Sequence, residues 1–284
     1  MFQADLLAGK RILITGGGTG LGKSIGRRYV ELGAELVICG RRLEKLEETR
    51  AEFEKDLGGK VSIHRCDVRD PDAVEAMMDM IWADGPLDVL VNNAAGNFIA
   101  QTERLSHRAI DAVLGIVLHG TAYCTTAVGR RWIDAGRPAV VLNILTTSAL
   151  HGGAYRVPSA MAKAGVAAMI KSLAVEWGPM GIRMVGVVPG PFPTPGAATR
   201  LRPEGAGQAP EEDDVPLRRV GEHKELADLC TYLVSDQAGY VNGEIVVIDG
   251  GKWLQGVYGA SIRQMQDWDD AKWAEVKEQT RKGA

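Results

Sequence analysis

The stretch Thr15-Gly16-Gly17-Gly18-Thr19-Gly20-Leu21-Gly22 is the first whose residue types and spacing point to chemistry. It follows the apolar run Ile12-Leu13-Ile14 and leads into a segment from Lys23 to Val30 that reads as a helix. A glycine turn between strand and helix lets the backbone approach a pyrophosphate. The helix N-terminus then offers unpaired N–H groups and the positive end of its dipole. A second signal closes the next apolar run, Val37-Ile38-Cys39-Gly40-Arg41-Arg42. In NAD-binding folds an acidic residue at this place accepts the ribose 2′-hydroxyl. Arg41 and Arg42 match a 2′-phosphate instead, by charge and by forked donor geometry. Basic residues oppose the dipole at a helix start, which favours a ligand role over a merely solvated one. The expected cofactor is therefore NADP(H).

These residues need a frame that brings strand ends together. Short, apolar, β-branched runs predict strands near 11–15, 36–39, 61–65, 88–92, 139–146, 183–188 and 245–248. Helical patterns fall between them, at 20–32, 42–57, 71–83, 106–130, 158–177 and 223–235. Strict alternation of this kind predicts an α/β fold, a doubly wound parallel sheet with ligands at the C-terminal strand ends. Residues 1–251 are read as one domain. Within it, 190–216 is rich in Pro, Gly, Ala and Arg and is read as a substrate loop. Residues 252–284 form an amphipathic helical extension with Trp253, Trp268 and Trp273. It either closes the site, joins a subunit interface or trails as a loosely packed tail.

Composition narrows the class. In 284 residues, 45% are hydrophobic and 24% charged, as in an ordinary globular protein with a sizeable core. A net charge of −3 argues against a nucleic-acid partner. No apolar run is read as long enough to span a bilayer, and the first residues lack a basic, then apolar, leader, so the expected compartment is the cytoplasm. The four cysteines have no metal-ligand spacing. Cys39 and Cys66 would end neighbouring strands and are read as reduced core thiols.

The loop at Thr15–Gly22 resembles the T-G-x-x-x-G-x-G loop of the short-chain dehydrogenase/reductase family. Asn92-Asn93-Ala94-Ala95-Gly96 resembles its N-N-A-G signature, Asp67-Val68 its adenine-contacting pair, and Pro189-Gly190 its P-G motif. The resemblance implies a Rossmann-like sheet of about seven strands and commonly a homotetramer. It carries cofactor binding onto Gly16, Thr19, Gly20, Leu21, Gly22, Asp67, Val68, Asn93, Ala94, Gly96, Pro189 and Gly190. A narrower resemblance, to the 2,4-dienoyl-CoA reductase branch, rests on Cys66–Asp72, Asn92–Phe98, Thr102–Ser106, Val157–Gly165, Pro189–Pro191 and Gly196–Leu201. That branch uses NADPH to reduce dienoyl-CoA thioesters in the breakdown of unsaturated fatty acids. The resemblance implies an acyl-CoA partner, with Phe98 at the acyl end and Arg200 on a CoA phosphate.

The wider family carries Tyr-x-x-x-Lys, and this chain has Ser159 and Lys163 at that spacing, which puts both on one helix face. A serine hydroxyl is a poor acid for an alkoxide, whereas the dienoyl-CoA branch shares this serine. That branch's relocated tyrosine aligns with Ser148, its alternative aspartate with Val117, and the family's helix asparagine with His119. Candidate donors are therefore His119, Thr146 and Ser148, with Tyr155 either lining an acyl pocket or acting as an acid. Dienoyl reduction tolerates weak acids, because charge spreads to the thioester oxygen, where hydrogen-bond donors suffice. Two alternatives stay open: a carbonyl reductase with a displaced acid, and a non-catalytic NADP(H)-binding protein.

Overall fold

The computed structural model describes residues 2–196 and 211–282. Seven parallel strands form one sheet: β1 (Arg11–Thr15), β2 (Glu35–Gly40), β3 (Val61–Arg65), β4 (Val89–Asn92), β5 (Ala139–Ile144), β6 (Ile182–Pro189) and β7 (Ile245–Ile248). Their order is β3-β2-β1-β4-β5-β6-β7, a doubly wound Rossmann-like sheet, with every pairing parallel. The chain winds outward from β1 to β3, then returns to lay β4 on the other side of β1. This reversal opens a crevice beyond the C-terminal ends of β1 and β4.

Both faces of the sheet are covered, so the strands read as unbroken apolar runs. On one face Ile12, Ile14, Leu36 and Ile38 pack with α1 (Gly20–Glu31), α2 (Leu43–Leu57) and α8 (His223–Val234). On the other, Leu13, Val37, Leu90 and Val141 pack with α3 (Pro71–Ala83), α5 (Gly120–Asp134) and α7 (Val157–Glu176). Cys39, Cys66, Cys124 and Cys230 are all free and buried in these cores, and burial pushes the Cys66 thiol up to about 11. Beyond β7, Asp249 accepts from the Gly251 and Trp253 backbone N–H groups (2.8 and 2.7 Å) and starts a short turn. Helices α9 (Gly259–Gln266) and α10 (Asp270–Lys282) follow, with Trp268 and Trp273 edge to face at 4.9 Å.

The helix expected as one run over 106–130 is built in three parts. Helix α4 (His107–Leu114) passes through a π-helical turn, Gly115–His119, into α5. Ser106 caps its start, accepting from the Ala109 N–H. Contrary to the sequence expectation, His107–Asp134 is long and apolar enough to cross a membrane by length and composition. Half of its most apolar window is buried, with Val113, Val117, Cys124, Val128 and Trp132 inside the protein, as in a core helix. The remaining element, α6 (Ser148–His151), is one turn after β5.

Candidate active site

The crevice is a cleft of about 730 Å³ running from the glycine loop to Lys163. Its floor is rigid because the loop is tied down from three sides. The Thr15 hydroxyl accepts from the Asn93 and Ala94 backbone N–H groups, each at 3.0 Å. The Asn93 amide donates to the carbonyls of Thr15 and Gly16 (2.9 and 3.3 Å), and Thr49 donates to that of Gly18 (2.9 Å). Gly16 and Gly20 have φ of +67° and +57°, where only glycine sits without strain. A Cβ on Gly22 would stand 2.4 Å from the Asn93 amide nitrogen, so the α1 N-terminus can approach the strand ends only as glycine. Such a cradle fits an extended pyrophosphate ligand.

At one end, Arg41, Arg42 and Lys45 line the cleft. Asp67 stands there too, but Arg69 chelates it with Nε 3.0 Å from both oxygens. These hydrogen bonds, more than its other surroundings, hold the Asp67 carboxyl below the usual carboxylate range. The end is therefore net cationic. Lys45 was not anticipated, although its place in the first turn of α2 puts it beside Arg41 and Arg42.

At the other end, Ser159 and Lys163 face the cleft from one side of α7, only 5% and 6% exposed. The Lys163 ammonium donates to the Ile144 carbonyl at the end of β5. Burial pulls its pKa down to about 8. Thr146 lies just past β5 and also lines the cleft, where its hydroxyl has no hydrogen-bond partner among the described residues. Asn97, missed in the sequence, lies opposite on the loop after β4. Its side-chain oxygen accepts from the Phe98 N–H (2.9 Å), which leaves its NH₂ free to donate. Beneath them, Asn92 donates to Thr125 and Asn143 (2.9 and 3.0 Å), so the strand ends are locked by a buried polar network.

Gly16, Thr19, Gly20, Leu21, Arg41, Arg42, Asp67, Val68, Asn93, Ala94, Gly96, Thr146, Ser159, Lys163 and Pro189 all line this one cleft. Gly22 and Gly190, the immediate chain neighbours of Leu21 and Pro189, are not among the described lining residues. Four of the expected site residues lie outside the described lining of this cleft. His119 is exposed, its ring 6.1 Å from that of Tyr123, and it is not among the described residues of the cleft. Val113, Val117 and Thr121 point inward, and His119, two residues from Val117, lies about 200° around the helix. Ser148 is half-buried in α6, off the cleft wall. Phe98 packs instead in a satellite core with Val113, Val117 and Ala162. Tyr155 is 61% exposed, at φ +60°, with its carbonyl accepting from the Ala100 N–H (3.0 Å). Arg200 lies outside the described residues.

A parallel doubly wound sheet with a glycine cradle at its switch point defines an α/β protein built to hold a dinucleotide-like ligand. The profile of the family described as enoyl-(acyl carrier protein) reductase matches residues 16–252. A Bacillus subtilis protein named as a probable 2,4-dienoyl-CoA reductase, (2E)-enoyl-CoA-producing, is 42% identical over 247 residues, covering 86% of this chain and 97% of that one. A Caenorhabditis elegans protein named as a probable 2,4-dienoyl-CoA reductase 3, (3E)-enoyl-CoA-producing, is 42% identical over 278 residues, covering 95% and 89%. The crystal structure of a short chain dehydrogenase from Bacillus anthracis is 41% identical with a TM-score of 0.77, covering 86% and 96%. The chain belongs to the short-chain dehydrogenase/reductase family and is an oxidoreductase of that family.

Proposed function

We propose that the protein is an NADPH-dependent reductase of 2,4-dienoyl-CoA or related enoyl-CoA thioesters. The observation that carries this reading is the polar wall around Lys163. Asn97, Thr146 and Ser159 offer an amide and two hydroxyls there, and no tyrosine or histidine lines the cleft among the described residues. These groups are too weak as acids to protonate an alkoxide as it forms, but suited to hold a thioester oxygen on which charge accumulates. The names of the two sequence relatives support the same substrate class. When bound, the nicotinamide supplies a hydride. The protein's part is to hold the dinucleotide along the glycine loop, keep an ammonium at the ribose end through Lys163, and present donors to the thioester. The same reading includes a homotetramer, as the resemblance implies, and a cytoplasmic compartment.

Purified protein mixed with NADPH and a 2,4-dienoyl-CoA tests the proposal. Joint loss of NADPH and diene absorbance is expected, and product analysis separates a 2-enoyl from a 3-enoyl thioester. Turnover of ketones alone would make the protein a carbonyl reductase instead.

NADPH is expected to bind more tightly than NADH, because Arg41, Arg42 and Lys45 meet the 2′-phosphate. A charge-assisted hydrogen bond contributes about 1.5–3 kcal/mol, on the order of ten- to a hundredfold in Kd. Arg41→Ala should erase most of that margin by weakening NADPH and not NADH. Equal affinities of the native protein for the two dinucleotides would refute the assignment.

Lys163 adds a pH dependence. Its amine is charged below about 8 and neutral above. Attraction for the anionic dinucleotide is therefore full below that pH and fades as the pH rises through it. The Kd for NADPH should climb between about pH 7 and 9 in the native protein and stay flat in Lys163→Met, which a fluorescence titration across that range would show. For folding the sign is reversed. The buried ammonium costs stability below about 8, and that cost is relieved as the pH rises towards the ordinary lysine value.

A further inference from the structure

The cleft wall beyond β6 runs Pro189-Gly190-Pro191-Phe192-Pro193-Thr194-Pro195-Gly196. Proline at every second position removes every second backbone donor. The Gly190 N–H still donates to the Ile248 carbonyl at the end of β7 (2.9 Å), and two further donors, from the entry to α8, reach the carbonyls that follow. The Gly221 N–H donates to the Pro191 carbonyl at 2.9 Å. The His223 ring nitrogen Nε2 stands 2.8 Å from the Pro193 carbonyl, and since a carbonyl only accepts, Nε2 carries the proton and donates.

The other ring nitrogen reaches the cofactor helix. His223 Nδ1 is 2.7 Å from the Ser24 hydroxyl in α1, and that hydroxyl is 3.2 Å from the carbonyl of Gly20, the first residue of the helix. The ring thus joins two pieces of the cleft: the α1 N-terminus, and the residues leading into Thr194, Pro195 and Gly196, which line it. The two lie close together, since a Cβ on Gly20 would be 3.6 Å from the Thr194 methyl carbon. His223 is the first residue of α8, after the N-cap Glu222. Its own N–H is not needed by the helix there, and proline would suit the position.

We propose that His223 is a positioning residue: it straps the proline-rich cleft wall to the first turn of the cofactor helix and so sets the affinity for the dinucleotide. The proposal rests on the cofactor reading above. It predicts a role for a side chain that does not itself line the cleft.

The test uses the full chain, NADPH titration by fluorescence, and thermal melting. His223→Pro removes the ring while keeping the start of α8, because Glu222 already has the extended backbone (ψ 138°) that a following proline requires. The expected result is a Kd for NADPH raised about five- to tenfold with the Tm lowered by no more than a few degrees, the scale of one to two neutral hydrogen bonds. His223→Gln, which keeps a donor for the Pro193 carbonyl, should recover most of the affinity. Native affinity in His223→Pro would overturn the strap, as would losses in both variants that merely track a falling Tm. Native protein that binds neither NADPH nor NADH would overturn the cofactor reading, and the strap with it.

Discussion

Lys163→Met is expected to lower kcat on a dienoyl-CoA at least about a thousandfold while leaving the Tm at or above the native value. The two effects have one cause. Lys163 is 6% exposed, has no carboxylate partner among the described residues, and is held by a carbonyl at the end of β5. An ammonium in such a place costs stability, as its depressed pKa of about 8 records. Methionine fills nearly the same volume with no charge to desolvate, at the expense of one unmet carbonyl. The buried charge is thus retained against the interest of folding, as expected of a group that works on a ligand. Ser159→Ala, one turn away on the same helix face, should cost far less, about tenfold, because it removes one neutral donor among several. Measuring kcat and Tm on the same preparations decides the matter. A Lys163→Met enzyme with native turnover would remove the family geometry from this site; one that fails to fold would refute the strain argument.

How much of this was legible in the sequence depends on what kind of force placed each residue. The strands and most helices were readable to within a residue or two at their ends, because a parallel sheet covered on both faces demands unbroken β-branched runs. The glycine loop and the Arg41-Arg42 pair were readable because each needs only local order: a strand end, a turn, a helix start. His119 is a candidate through the family resemblance alone, whereas the helical period of Val113, Val117 and Thr121 turns it outward. The π-helical turn that includes it shows no local signal in the sequence; in the structure Gly120 approaches Val68 and Gly115 approaches Arg69 closely at this turn. Phe98 and Tyr155 sit on loops, and Ser148 opens the single-turn α6, where tertiary contacts set the path of the chain. Nothing in Ala154-Tyr155-Arg156 announces a bulky residue at φ +60°. Asn97 lies within the Asn92–Phe98 stretch, but only the fold brings the Phe98 N–H onto its side-chain oxygen and leaves its NH₂ for the cleft.

The second large effect is expected at Thr146. Its carbonyl accepts from the Ala149 N–H (2.9 Å), so the backbone is fixed at the start of α6. Just before it, the Leu145 N–H donates to the Val187 carbonyl (2.7 Å) and anchors the chain to the sheet. The hydroxyl therefore faces the cleft from a position that cannot drift, the condition under which a donor stabilises developing charge without reorganising. Thr146→Val keeps the shape and removes the donor. It should lower kcat on a dienoyl-CoA about a hundred- to a thousandfold and leave the Kd for NADPH within about twofold. His119→Ala is the matched control: an exposed side chain outside the cleft, whose loss should leave both constants within about twofold. A rate loss in His119→Ala equal to that in Thr146→Val would mean that both substitutions act through the helix and sheet rather than through a donor. If Thr146→Val runs at the native rate, Asn97→Ala becomes the deciding variant, since the Asn97 NH₂ is the donor across the cleft. With neither needed, the polar wall that carries the thioester reading would have no function to explain it, and a carbonyl substrate or a purely dinucleotide-binding role would take its place.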